Sequence, residues 1–172
     1  LGIVYDIYGK QQDWIRVATT EVRGDNPFWM ADGHIVYHGC DFLSDHAACG
    51  LYVVPSSGGA YRRLTTDNSD TAPAGSGSRV AFMSARDGNW EVYAVNLDGS
   101  GLKRLTNNSA NDGLPTWSPD GQSIAFVSDR GGVWAIWVMD RDGDNVRKLF
   151  DLGGGYGSGA SDWVTERISW SP

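Results

Sequence analysis

Short runs in which apolar and polar positions alternate recur along the whole chain. IVYDIY (3–8), EVYAVN (91–96), IAFVS (124–128) and AIWVMD (135–140) are rich in aromatic and β-branched residues, the side chains that suit a pleated, half-buried surface. None of these runs exceeds six residues, and no stretch of ten or more carries a helical period. Asp-Gly dipeptides at Asp98-Gly99, Asp120-Gly121 and Asp142-Gly143 separate them. That dipeptide tolerates the positive φ of a tight hairpin. The pattern predicts antiparallel strands joined by short turns.

The runs belong to a repeat. Phe82, Ser84, Trp90, Tyr93, Asp98, Gly99 and Leu105 match Phe126, Ser128, Trp134, Trp137, Asp142, Gly143 and Leu149 at a constant offset of 44. Tyr37, Tyr52, Gly58 and Leu64 give a third copy after one insertion. Residues 4–19 lie on 92–106, and ISWSP (168–172) matches PTWSP (115–119). A period in the forties permits propeller blades or paired helices, and the strand pattern selects blades. Each unit reads as four strands, a to d, at roughly 114–118, 122–128, 133–139 and 145–150 in the most regular copy. A four-stranded unit with apolar side chains on both faces needs a neighbour on each side, which radial stacking supplies.

In LPTWSPDGQSIAFVSDRGG (114–132) the units also carry a resemblance. P-x-W-S-P-D-G-x-x-I-A-F-x-S-D-R, followed by an aromatic strand, D-x-D-G and R-[KL]-L, resembles the TolB-type, WD-like β-propeller repeat across essentially the whole chain. The resemblance implies an all-β fold of four-stranded antiparallel blades within a propeller of roughly six to eight. The copy at 66–106 departs from it, with Gly75 and Ser-Gly-Ser in place of the Trp and the Pro-Asp-Gly. The expected division is a part-blade (strands c and d) at 1–19, blades at 20–65, 66–106 and 107–150, and a connector with strand a of a further blade at 151–172. The two ends together lack a strand b, and the chain opens on Leu1 rather than Met. The missing strand suggests a portion of a larger propeller, the alternative being a short chain whose open ends pair with another copy; the absent Met reflects either processing or an incomplete protein.

Composition narrows the function. Hydrophobic residues make up 41% and charged residues 20% of the 172, enough to bury a core. The net charge is -7, which disfavours nucleic acid and anionic membrane surfaces as partners. No apolar run approaches the roughly 20 residues of a spanning helix, so membrane insertion is not expected.

Candidate chemistry concentrates on the propeller face that carries the b–c and d–a loops. The b–c loop of the 20–65 copy is enlarged by four residues relative to the next copy and holds both cysteines, Cys40 and Cys49. A bond between them would staple the loop, stabilise it by roughly 2–4 kcal/mol and imply an oxidising compartment, periplasmic or extracellular. The alternative is a metal site with His38 or His46, although C-x8-C fits no standard zinc spacing. Asp41, Asp45 and His46 of this loop are candidate binding residues. So are Tyr156, Asp162 and Trp163 in the glycine-rich connector 150–163, where an exposed aromatic pair could take peptide or sugar; the alternative tucks Trp163 into the core. Asp25, Asp70 and Asp112 precede the strand-a prolines. They are read either as a ring of acids at the tunnel mouth, drawing cations or a basic peptide, or as caps of their own turns. On the opposite face Asp140, Asp142 and Asp144 alternate as in a calcium loop, without the closing glutamate. Calcium is thus the one cofactor with any sequence signal, and a plain hairpin is the competing account. No G-x-S-x-G or H-E-x-x-H motif is present. The leading expectation is a non-catalytic, extracytoplasmic module that binds a protein partner or self-associates. The alternatives are the propeller of a peptidase-like hydrolase and a carbohydrate-binding propeller.

Overall fold

The structure, a computed structural model, describes residues 22–41, 48–153, 156 and 163–171. It contains three four-stranded sheets in which every neighbouring pair is antiparallel. The first holds β1 (Val22–Trp29), β2 (His34–Asp41), β3 (Ala48–Pro55) and β4 (Arg62–Arg63), in that order. The second holds β5 (Thr71–Ser76), β6 (Arg79–Ser84), β7 (Glu91–Asn96) and β8 (Lys103–Arg104). The third holds β9 (Asp112–Trp117), β10 (Ser123–Ser128), β11 (Ala135–Asp140) and β12 (Arg147–Asp151). These are strands a to d of three propeller blades, called blades 1, 2 and 3 below. A single 3-10 turn at Trp163–Thr165 is the only helical segment among the described residues.

Alternation along the strands builds one core between each pair of blades. Met30, Val36, Leu51, Val53 and Leu64 of blade 1 pack on Val80, Phe82, Tyr93 and Val95 of blade 2. One step on, Ala74, Ala81, Val92, Ala94 and Leu105 of blade 2 pack on Trp117, Ile124, Phe126 and Met139 of blade 3. Phe82 and Phe126 are fully buried, so each contributes on the order of 3–5 kcal/mol against truncation to alanine.

The position of the repeat tryptophan shows how the blades adjust to each other. Trp117 is buried and its indole N–H donates to the Ala74 carbonyl of blade 2 at 2.9 Å. In blade 2 the matching residue is Gly75, and Met30 of blade 1 takes the vacated volume: a Cβ on Gly75 would lie 2.8 Å from Met30 Cε. The loss of the tryptophan is thus compensated across the blade boundary. The Asp-Gly turns lock the other end of the blades. Gly143, at φ 94, rests so close to blade 2 that a Cβ would stand 2.8 Å from the Leu105 carbonyl oxygen.

Strand a of each blade bends in the same way. Asn26, Ala72 and Leu114 each adopt φ 50, the register slips beside each of them, and a proline follows each. A left-handed non-glycine residue costs roughly 1–2 kcal/mol, so three copies mark a conformation imposed by the fold. These bends converge on a cavity of about 230 Å³ lined by Pro27, Pro73, Leu114, Pro115, Arg167 and neighbouring residues. It is the hub around which the strands a are arranged, and Arg167 reaches across it to donate to the Pro73 carbonyl at 3.3 Å.

Candidate binding face

The b–c loop of blade 2 is closed by a charged latch. Ser84, at the end of β6, accepts hydrogen bonds from the backbone N–H and the Nε of Arg86. The same guanidinium pairs with Asp70 Oδ1 at 2.5 Å and lies 4.8 Å from the Tyr93 ring centre. Blade 3 repeats this arrangement. Ser128 accepts from Arg130 N and Nε, Arg130 pairs with Asp112 Oδ2 at 2.6 Å, and the guanidinium sits 4.9 Å from the Phe126 ring. Both carboxylates are fully buried. Burial holds the Asp112 carboxyl above the ordinary carboxylate range, against the opposing pull of Ser128, Arg130 and Asn108.

Beside the latches, Trp163 wedges between two blades. Its ring stands 6.3 Å from that of Trp90 in blade 2 and 4.8 Å from that of Trp134 in blade 3, and Tyr156 packs edge-on to Trp134 at 5.7 Å. All four rings are half-buried over Met83, Leu114 and Val127. The connector therefore contributes packing and a remaining aromatic surface together, between the exposed and tucked-in alternatives raised by the sequence.

The family model described as the TolB beta propeller domain matches residues 67–165. The chain belongs to this family. Forty-five of its residues are 49% identical to the Tol-Pal system protein TolB of Desulfosudis oleivorans, covering 26% of this chain and 10% of that protein. Crystalline TolB from Acinetobacter baumannii superimposes over 87% of this chain and 37% of its own length, with a TM-score of 0.67 and 28% identity. A puromycin hydrolase aligns over 74% of this chain and 23% of its own at 19% identity and a TM-score of 0.61, a likeness of fold alone. The chain spans well under half the length of each of these relatives.

Within this TolB-type propeller the acids expected at the tunnel mouth do not form one series. Asp112 pairs in register with Ser128, whereas Asp25 pairs with His38, one position further along the strand. The residue of blade 1 that corresponds to Asp70 and Asp112 is Gly24. Asp25 is exposed and bonds His38 Nδ1 at 3.0 Å. Asp70 and Asp112 are sealed by arginine, which removes them from a cation-attracting ring. They also do not cap their own turns; Asp67 does so before blade 2, accepting from Ser69 N at 2.9 Å, and Asn108 does so before blade 3, accepting from Ala110 N at 2.7 Å.

Two of the acids in the 140–144 turn have protein partners. Asp142 is bound to Arg79 at 2.7 Å and its carbonyl accepts from Lys103, while Asp140 accepts from Asn145 at 2.6 Å. Among the described residues no three His, Cys, Asp or Glu side chains converge as metal ligands. Asp142 thereby bridges blades 2 and 3.

Cys40 and Cys49 are joined, with Cα atoms 4.0 Å apart, and stand directly opposite each other on β2 and β3. Asp45, His46 and Asp162 lie outside the described residues, as does the side chain of Asp41. One group escaped the sequence reading. Glu91 is fully buried and accepts from Thr106 Oγ1 at 2.5 Å, Arg104 Nη2 at 2.9 Å, Asn108 N at 2.9 Å and Asn89 Nδ2 at 3.1 Å. Burial pushes its carboxyl up, but the hydrogen bonds from Asn108, Thr106, Arg104 and Asn89 outweigh it and hold the group below the usual range. The available signal was a glutamate opening EVYAVN at the position where the copy 44 residues on has Ala135.

Proposed function

We propose that this chain is part of an extracytoplasmic β-propeller that binds a protein partner, without catalysis, through the face bearing the b–c and d–a loops. The observation that carries this reading is the aromatic cluster of Trp90, Trp134, Tyr156 and Trp163. It spans two blades and the connector, and Trp90 and Trp134 stand on b–c loops that the arginine latches tie to strand a. Rigid aromatic groups on a polar surface give affinity at low entropic cost. A partner that is itself a protein is supported by the likeness to TolB, a protein of the Tol-Pal system. The disulfide supports an oxidising compartment, since such bonds persist outside the reducing cytoplasm.

The test is affinity capture of the chain, disulfide intact, from an extracytoplasmic extract, compared with a Trp134→Ala, Tyr156→Ala variant whose fold is verified by circular dichroism. A defined protein retained by the parent and lost by the variant supports the reading. Capture of nothing, together with a strictly monomeric mass, refutes it, and retention on a glycan array would move the face to the carbohydrate-binding alternative.

A further inference from the structure

Blades 2 and 3 fasten the loop-bearing end of the sheet with charge, whereas blade 1 fastens it with sulfur. The cross-strand pairs Tyr37–Tyr52, Phe82–Tyr93 and Phe126–Trp137 occupy the same place in the three sheets. Counting from them, the latch acid, serine and arginine of blades 2 and 3 correspond to Gly24, Gly39 and Asp41 of blade 1. All three latch groups are absent together: two positions have no side chain and the third has the opposite charge. Nor can the acid be restored in place. A Cβ on Gly24 would lie 2.3 Å from Tyr37 Cδ2, because the Tyr37 ring fills that space.

The two cysteines stand within this same corner. Cys40 immediately follows the serine position and Cys49 matches Trp90 and Trp134, so the bond ties β2 to β3, at the corner where Arg86 and Arg130 tie the end of strand b to the acid of strand a and lie over the strand-c rings. The Cys49 carbonyl also accepts from Arg63 of strand d.

We propose that Cys40–Cys49 substitutes for the arginine latch in blade 1, so that a dithiol reductant opens the loop-bearing end of that blade and leaves blades 2 and 3 closed. In the reaction a reductant thiolate attacks one cysteine sulfur, giving a mixed disulfide and a cysteine thiolate. The second reductant thiol then displaces the remaining cysteine. Two electrons pass to the protein, the two reductant protons finish on the Cys40 and Cys49 thiols, and the reductant leaves as its own disulfide. Both cysteines are half-buried rather than sealed, so the bond is within reach of a small dithiol. This inference is independent of what the face binds.

Hydrogen exchange of the whole chain, read by mass spectrometry with and without dithiothreitol, tests it. Once thiol titration shows the bond reduced, amides at 39–41 and 48–50 should exchange at least about tenfold faster, while 84–90 and 128–134 keep their rates. A Cys40→Ser, Cys49→Ser variant should show the faster rates in blade 1 and no response to dithiothreitol. Arg86→Ala should open 84–90 whether or not reductant is present. Unchanged exchange in blade 1 after confirmed reduction overturns the proposal, and so does an equal rise in all three blades, which would make the bond a staple of the whole fold.

Discussion

Replacing Arg130 by alanine isolates the energetics of a latch. The perturbation leaves Asp112 fully buried with its ion partner, 2.6 Å away in the native structure, removed. Stranding one member of a buried pair costs about 3–5 kcal/mol, far beyond the ~1 kcal/mol ceiling of an exposed pair. The guanidinium also covers the Phe126 and Trp137 rings at 4.9 and 5.2 Å, worth roughly 0.5–1 kcal/mol at a partly exposed site. Asn108 still donates to Asp112 at 2.7 Å, which keeps the total near the lower end, about 3–4 kcal/mol. At the roughly 2–4 °C per kcal/mol expected for a chain of this size, Tm falls by about 6–16 °C. Urea unfolding followed by tryptophan fluorescence measures the loss. Asp112→Asn combined with Arg130→Met should recover at least half of it, because the double variant buries no charge. A single-variant loss below about 1 kcal/mol, or no recovery in the double variant, would refute the claim that the latch is a desolvated pair. The burial that raises the Asp112 carboxyl fixes the sign of its pH response. The folded form holds the proton more tightly than the unfolded one, so this group favours folding at acid pH and the benefit is lost as pH rises through the raised value.

Glu91 has the opposite sign. Its carboxyl is lowered below the ordinary 4.5, so its contribution is present above that value and lost as pH falls through the lowered one; Glu91→Gln should therefore flatten the fall in urea midpoint between neutral and strongly acid pH. Gly143→Ala should lower Tm more than Gly132→Ala. Both residues have positive φ, but a methyl on Gly143 meets the Leu105 carbonyl at 2.8 Å and one on Gly132 meets nothing within 4 Å. The difference in Tm between the two variants isolates the contact from the backbone cost of roughly 1–2 kcal/mol. Asp142→Asn breaks an exposed bridge to Arg79, so thermal unfolding should show a loss far smaller than that of Arg130→Ala, shrinking further in high salt.

The strand layout was legible because it rests on local signals. Alternation and Asp-Gly turns set β9 to β12 within one or two residues of their expected limits, and the offset of 44 carried the same layout to β6, β7 and β8, whereas in strand a Ala72 of blade 2 lies 42 residues before its counterpart Leu114. The chemistry of the face was less legible because it depends on which side chains become partners in three dimensions. Asp25 precedes a proline just as Asp70 and Asp112 do, yet a single-residue difference in spacing puts it on the exposed side of its strand. Arg130 stands in the sequence only as the last residue of the repeat motif, and Arg86 carries no signal, since nothing local shows that each will lie over two aromatic rings and reach an acid 16 or 18 residues away. The disulfide was legible because its two members flank one insertion in the repeat, although the structure places them on β2 and β3 rather than in a loop.

The two outer faces follow from the same stacking rule. Leu64 and Leu105 are buried because each lies beneath the next blade, whereas Leu149, at the same position of blade 3, is 41% exposed beside Phe150 at 57%. These two side chains line a groove of about 420 Å³ with Thr116, Ala125 and Ile136. Those three stand where Ala74, Ala81 and Val92 of blade 2 pack on blade 3. Trp170, whose counterpart Trp117 fills the preceding boundary, already lies along this groove. Identical positions are thus buried or open according to whether a neighbouring sheet is present. Apolar burial in this fold belongs to pairs of blades, and among the described residues blade 3 presents the donor half of such a pair.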